Sequence, residues 1–212
     1  QGFVALGMDC RSGKGVSNFA PAVREQLLPA LLEKRAAHGM TGAPIRLMVV
    51  GIPNVGKSSF INRMAQSKRA KVEDRPGVTR TKQWVKIGSN MELLDMPGVL
   101  WPKFDDQTVA QKLAFTGAIN DDVMDLEALA CLLLQRLAVS YPKALEERYR
   151  MTDLQAIQED GFAMLELLGR KRGMLISGGE VNTERAAITL LDEFRSGKLG
   201  RITLELPEQE AL

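Results

Sequence analysis

Gly51-Ile-Pro-Asn-Val-Gly-Lys57-Ser58 has the G-x-x-x-x-G-K-[ST] spacing of a phosphate-binding loop. The residue types follow from the chemistry. The backbone amides of Asn54, Val55, Gly56, Lys57, Ser58 and Ser59 can point at phosphate oxygens, and the helix start adds its positive dipole end. The Lys57 ammonium would bridge the outer phosphates, and the Ser58 hydroxyl would reach Mg²⁺. A second group is Met91-Glu-Leu-Leu-Asp95-Met-Pro-Gly98, an apolar strand ending in D-x-P-G. There Asp95 is expected to hold Mg²⁺ through water, and the Gly98 N–H to hydrogen-bond the γ-phosphate and respond to its loss. The plain alternatives are a chance Gly-Lys-Ser turn and an aspartate ending a strand before an ordinary Pro-Gly turn.

The elements that must position these groups are legible around them. Ile45 to Val50 is an apolar run that reads as a buried strand, and a helix is expected from Ser58 to Ala65, so strand, loop and helix occur in the order a phosphate loop needs. Between the two motifs, Asp74-Arg-Pro-Gly-Val-Thr79-Arg-Thr81 is polar and without hydrophobic periodicity. In GTPases an element of this kind carries a metal-binding threonine, which puts Thr79, ahead of Thr81, beside Ser58 and Asp95.

A GTPase also needs N-K-x-D to read the base and a supporting S-A-K element. Residues from Val99 to Leu212 hold no Asn-Lys-x-Asp, and their apolar spacing is helical. Upstream, Phe3 to Met8 can form a short strand, and Asp9-Cys10-Arg11-Ser-Gly13-Lys-Gly15 aligns with S-A-K-x-G-x-G. The motif order is therefore rotated. A helix fits from Ala20 to Ala37, with Leu27, Leu28, Leu31 and Leu32 on one face. Because the sequence starts at Gln1 in the middle of a domain, the expectation is that an N-terminal piece bearing N-K-x-D is missing from it.

With this order the chain resembles the YlqF/RbgA family of circularly permuted GTPases that assist large ribosomal subunit assembly. The marks are the loop at Gly51, Asp74-Arg-Pro-Gly-Val-Thr, Gln83-Trp84-Val85, Leu94 to Pro102, Phe115-Thr-Gly-Ala-Ile119 and Lys171 to Gly179. Asp9 and Cys10 stand where the family usually has Ser and Ala. The resemblance implies that the base is contacted there by backbone N–H groups, assigned to Cys10 and Arg11. It also implies bound GTP or GDP with Mg²⁺, a large-subunit or assembly-intermediate partner, and a cytoplasmic setting.

The expected fold is α/β: a P-loop GTPase domain with permuted motif order over residues 1–120, its N-terminal part missing, then a small all-helical domain over 121–212. A chain of 212 residues that is 45% hydrophobic can bury two cores of that size. A net charge of +2 does not mark the whole chain as a nucleic-acid binder, so any RNA contact must come from a local patch. Arg170-Lys171-Arg172 with the Ser177-Gly178-Gly179 turn is one, although a solvated helix end would look the same. Two cysteines without a secretory signal read as buried, reduced thiols of a cytosolic protein with no disulfide partner. The longest apolar stretch, Leu126 to Val139, is interrupted by charges and too short to span a bilayer. Helices are expected at Val109 to Ile119, Leu126 to Leu137, Pro142 to Tyr149, and Asp153 to Leu168 with Asp153 as cap. A last helix is capped by Asn182 and ends near Gly197.

Three residues bear on mechanism. Val99 follows Asp95-Met-Pro-Gly98, where GTPases of the Ras type place a water-orienting glutamine. Valine cannot orient water, so hydrolysis is expected to be slow unless activated, or Val99 simply packs in an apolar corner. Asn54 sits where some GTPases hold K⁺ with an asparagine; its alternative is to cap a tight loop. His38, the one histidine, lies in a polar linker and reads as solvent-facing. The expected activity is hydrolysis of GTP by a switch in large-subunit assembly. The other readings are a tRNA-modification GTPase and a nucleotide-gated binding module with negligible turnover.

Overall fold

The computed structural model describes residues 3–40, 42–65, 83–88, 90–100, 105–152 and 154–206. They form two compact units, divided after Leu100.

The first unit is built on a sheet of three strands, β1 (Ile45–Val49), β2 (Gln83–Ile87) and β3 (Met91–Asp95), in the order β1-β3-β2. β1 runs parallel to β3 with Val49 opposite Asp95, and β2 pairs antiparallel with Gln83 opposite Asp95. Alternation sends Met91 and Leu93 inward, where they bury with Ile45, Val85, Ile87, Val23 and the helix residue Ile61. Asp95 is on the same face two residues later. The pleat that builds the core therefore drives a carboxylate to zero exposure at the carboxyl end of the central strand.

Three helices belong to this unit's described residues once the short turns are set aside: none is long, and the first two are fragments of the expected single helix. α1 (Phe19–Ala22) passes through a wide turn at Val23–Leu27 into α2 (Pro29–Ala37). Pro29 has no N–H to continue the ladder and restricts Leu28, so the chain breaks there. Leu27 and Leu31 end up exposed, while Leu28 and Leu32 pack on the core. α3 (Lys57–Met64) follows the glycine loop, and its Phe60 meets Phe19 edge-to-face with centroids 5.0 Å apart. The stretch from Phe3 to Met8, expected as a strand, has no strand partner among the described residues.

The second unit is helical among its described residues, apart from one antiparallel bridge between Leu175 and Val181. It contains α4 (Gln107–Phe115), α5 (Leu126–Ser140), α6 (Pro142–Tyr149), α7 (Gly161–Lys171) and α8 (Thr183–Arg195). Leu129, Leu133, Leu134 and Leu137 of α5 are buried against α7 and α8. α4 starts two residues earlier than expected and ends at Phe115. It packs on α5 and α8, so it belongs to this unit and the division falls well before residue 120. The predicted Asn182 cap is present, accepting from the Arg185 N–H at 2.9 Å, and Pro142 opens α6. Asp153 lies outside the described residues; α7 begins later and is capped by Asp160, which accepts from the Ala163 N–H at 2.9 Å.

A buried polar group joins three of these helices. Glu193 accepts from the Tyr149 hydroxyl at 2.8 Å, from Arg148 Nε at 2.9 Å, and from Arg172 Nη2 at 3.4 Å. Arg172 also lies over the Tyr149 ring, 5.9 Å from its centroid. These donors hold the Glu193 carboxyl down at about 2, and burial pushes the Tyr149 hydroxyl up. One residue of the basic Arg170-Lys171-Arg172 run is thus tied into the fold.

Candidate nucleotide site

Parallel pairing of β1 with β3 delivers the glycine loop and Asp95-Met-Pro-Gly98 to the same edge of the sheet, beyond the strands' carboxyl ends. The glycine loop is held open by local torsions. Gly56, the residue before α3, takes φ 92° and Asn54 takes φ 58°. Asparagine is among the few side chains that adopt the left-handed region readily, which is a conformational reason for its presence.

Lys57 Nζ donates to the Ile52 carbonyl at 2.6 Å, so its ammonium curls over its own loop. Partial burial lowers its pKa, and the nearby Asp95 carboxylate opposes that shift. Asp95 Oδ2 receives the Gln83 side-chain amide at 3.4 Å; Oδ1 is buried and has no hydrogen-bond partner among the described residues. An orphaned buried carboxylate oxygen beside the phosphate loop fits a divalent cation. The Asp95-Met-Pro-Gly98 segment crosses close to the loop, with the Val99 N–H donating to the Gly51 carbonyl at 3.4 Å. Gly98 has no room for a side chain: a Cβ there would lie 2.6 Å from Pro53 N. Val99 itself is 70% exposed, so it does not pack in an apolar corner.

The Asp9 to Gly15 loop reaches the same side of the unit. Asp9 N–H donates to Lys14 O at 2.9 Å and Gly13 N–H to Asp9 O at 2.8 Å, closing a tight loop. The Ser12 hydroxyl donates to Asp9 Oδ2 at 2.6 Å and the Arg11 N–H to Oδ1 at 2.8 Å; these bonds hold the Asp9 carboxyl below its usual range. The Arg11 amide, expected to face a base, is therefore engaged by Asp9. Arg63 of α3 donates to the Arg11 carbonyl at 3.3 Å and lies over Gly13, where φ of 86° also favours glycine. A cavity of about 890 Å³ opens between loop and helix, lined among others by Cys10, Ser12, Gly13, Ser59, Asn62 and Arg63.

The structure thus brings Asn54 to Ser59, Asp95 and Gly98 together, and of the predicted base-loop residues it places Cys10 across the cavity from Ser59, with Asp9 and Arg11 in the loop behind it. Thr79, Thr81 and the rest of Asp74 to Thr81 lie outside the described residues, as do Trp101 and Pro102. Reading by motif missed Gln83, which the antiparallel register puts opposite Asp95, and Arg63, which is four residues after Ser59 on the same helical face. Cys10 and Cys131 are free thiols, half-buried, and burial raises both pKa values. Among the described residues no group of His, Cys, Asp and Glu forms a metal cluster, and no helix is long and apolar enough to cross a membrane.

Comparison with known proteins agrees with the motifs. The sequence pattern of the family described as 50S ribosome-binding GTPase matches residues 46–159. Ribosome biogenesis GTPase A of Bacillus cereus is 42% identical over 209 residues, covering 99% of this chain and 69% of the relative. Its counterpart in Priestia megaterium is 43% identical over 209 residues, covering 99% and 72%. In fold the chain is similar to the GDP-bound structure of TM YlqF, with a TM-score of 0.51 at 23% identity over 95% of this chain and 79% of that one. Motifs, sheet and relatives converge: the chain belongs to the ribosome biogenesis GTPase A family, also called YlqF/RbgA.

Proposed function

We propose that this protein is a GTP-hydrolysing switch whose nucleotide state sets its affinity for an assembly intermediate of the large ribosomal subunit. Hydrolysis of GTP in ribosome assembly is the activity of the family, and the reading adds the large subunit, the permuted motif order, the cytoplasmic setting and the roles of residues. One observation carries the site assignment: the buried, unpartnered Asp95 Oδ1 lies at the carboxyl end of the central strand, where the phosphate loop and Gly98 meet.

In this reading Lys57 and the amides of Asn54 to Ser59 hold phosphates, Gly98 binds the γ-phosphate, and Cys10 in the Asp9 loop lies along the base. Ser58, Asp95 and Thr79 would hold Mg²⁺, which supplies charge neutralisation between the outer phosphates. The protein's own contribution is positioning: Lys57 already leans over the loop, and Gln83 fixes one oxygen of Asp95. Val99 offers no group to orient water, which supports slow turnover until a ribosomal partner completes the site. Asn54 would hold K⁺ and so supply charge stabilisation. The exposed Arg170 and Lys171 at the end of α7 are the RNA-facing candidates.

The test is steady-state phosphate release from GTP with purified ribosomal subunits added. Large-subunit particles should stimulate release and small-subunit particles should not. A flat response would favour a nucleotide-gated binding module, and stimulation by small subunits or tRNA alone would favour a GTPase acting on another RNA.

A further inference from the structure

We infer that Pro53 is a positioning residue for hydrolysis, a rigid stop that sets how closely the Gly98 amide approaches the substrate's terminal phosphate. The inference rests on the reading of Gly98 as the γ-phosphate contact.

The two loops meet backbone to backbone at this point. A Cβ built on Gly98 would lie 2.6 Å from Pro53 N, 2.7 Å from Pro53 Cα and 2.9 Å from the ring Cγ. Such distances leave Gly98 already seated against the proline with no slack. Next to this contact the Val99 N–H donates to the Gly51 carbonyl at 3.4 Å, so the second loop is fastened to the first.

Proline suits this place for two physical reasons. Its ring locks φ, which stiffens the middle of a loop whose next residue, Asn54, must take a left-handed conformation. It also has no N–H, so position 53 donates nothing to phosphate, unlike the amides after it. What remains for it is shape. A stiff wall under Gly98 fixes the amide's approach before substrate arrives, so that little reorganisation accompanies the step in which charge develops on the terminal phosphate. Pro53 acts on the reaction only through Gly98.

The experiment uses the intact protein and three variants, Pro53→Gly, Pro53→Ala and Gly98→Ala. It measures kcat and KM for GTP, and the affinities for GDP and for a non-hydrolysable GTP analogue. Pro53→Gly should lower kcat about tenfold, a fraction of the roughly hundredfold that a full 1 Å misplacement can cost, while GDP affinity changes by less than about twofold and KM for GTP rises in step with any loss of analogue affinity. Analogue affinity relative to GDP should fall in the same variant. Pro53→Ala, which keeps a Cβ against the loop, should fall between. Circular dichroism and thermal melting check that each variant is folded. An unchanged kcat and analogue-to-GDP ratio in Pro53→Gly would overturn the inference. So would an equal loss for GDP and analogue in both Pro53 variants, which would make Pro53 a shaping residue of the phosphate loop. If Gly98→Ala leaves the ratio unchanged, the reading of Gly98 itself fails; if Gly98→Ala lowers it and Pro53→Gly does not, only the role of Pro53 fails.

Discussion

Arg63 on α3 donates to the backbone carbonyl of Arg11 at 3.3 Å, linking the helix that follows the phosphate loop to the loop that begins at Asp9. Arg63→Ala should therefore loosen one wall of the cavity without emptying a core. A single exposed hydrogen bond contributes about 1 kcal/mol to the fold, so GDP affinity should fall by up to about fivefold where binding must re-order the freed loop, and the melting temperature should fall by about 2–4 °C. Fluorescence titration with labelled GDP checks the first and thermal melting the second.

Asp95 should show opposed effects on stability and function. Its carboxylate is fully buried with Oδ1 unpartnered among the described residues, and burying such a group without compensation costs about 1–3 kcal/mol or more. Asp95→Asn should raise the melting temperature of the nucleotide-free protein while lowering the Mg²⁺-dependent part of GTP binding. A variant that is both less stable and normal in Mg²⁺ response would remove Asp95 from the metal site.

Glu193 gives the helical unit a pH dependence. Its carboxyl, ordinarily near 4.5, is held at about 2 by Arg148, Tyr149 and Arg172. A lowered carboxyl contributes stability that is complete above about 4.5 and is lost as pH falls towards about 2. Glu193→Gln should cost about 3 kcal/mol at neutral pH, since breaking a buried ion pair leaves its partners uncompensated. It should also flatten the acid limb of stability between those pH values. Denaturant unfolding followed by circular dichroism across pH measures both.

The parts of this arrangement that were legible in the sequence are those in which chemistry demands residue types at short, fixed spacing. Lys57, Ser58, Asp95 and Gly98 stand out because a phosphate loop and a D-x-P-G turn tolerate few alternatives, and Asn182 and Pro142 because helix starts are local. The strand at Phe3 to Met8 was not, since a strand exists only through a neighbour that its own residues do not encode. The helix expected over Ala20 to Ala37 failed at Leu28–Pro29, where four leucines suggested an apolar face and the proline's missing N–H prevailed. Gln83 beside Asp95, Pro53 against Gly98, and the Glu193 group depend on pairings between distant segments, which periodicity cannot reveal. The engagement of the Arg11 amide follows from an aspartate at position 9, whose side chain reaches back to its own loop.

Asn54 has a conformational reason to be where it is, and potassium dependence would add a chemical one. If it holds K⁺, turnover should be higher in K⁺ than in Na⁺ at fixed ionic strength, and Asn54→Gly, which keeps the left-handed φ accessible, should remove the difference. Equal rates in the two salts for the parent protein would leave Asn54 as a loop-forming residue.

The most direct measurement of the central claim is competition for labelled GDP by the intact protein, with GTP, GDP and ATP as competitors and Lys57→Ala alongside. The account predicts that GTP and GDP displace the label at concentrations at least about tenfold below ATP, and that Lys57→Ala weakens both guanine nucleotides by about tenfold or more through loss of a phosphate-paired charge. Displacement by ATP as readily as by GTP, or a Lys57→Ala variant that binds GDP normally, would contradict it.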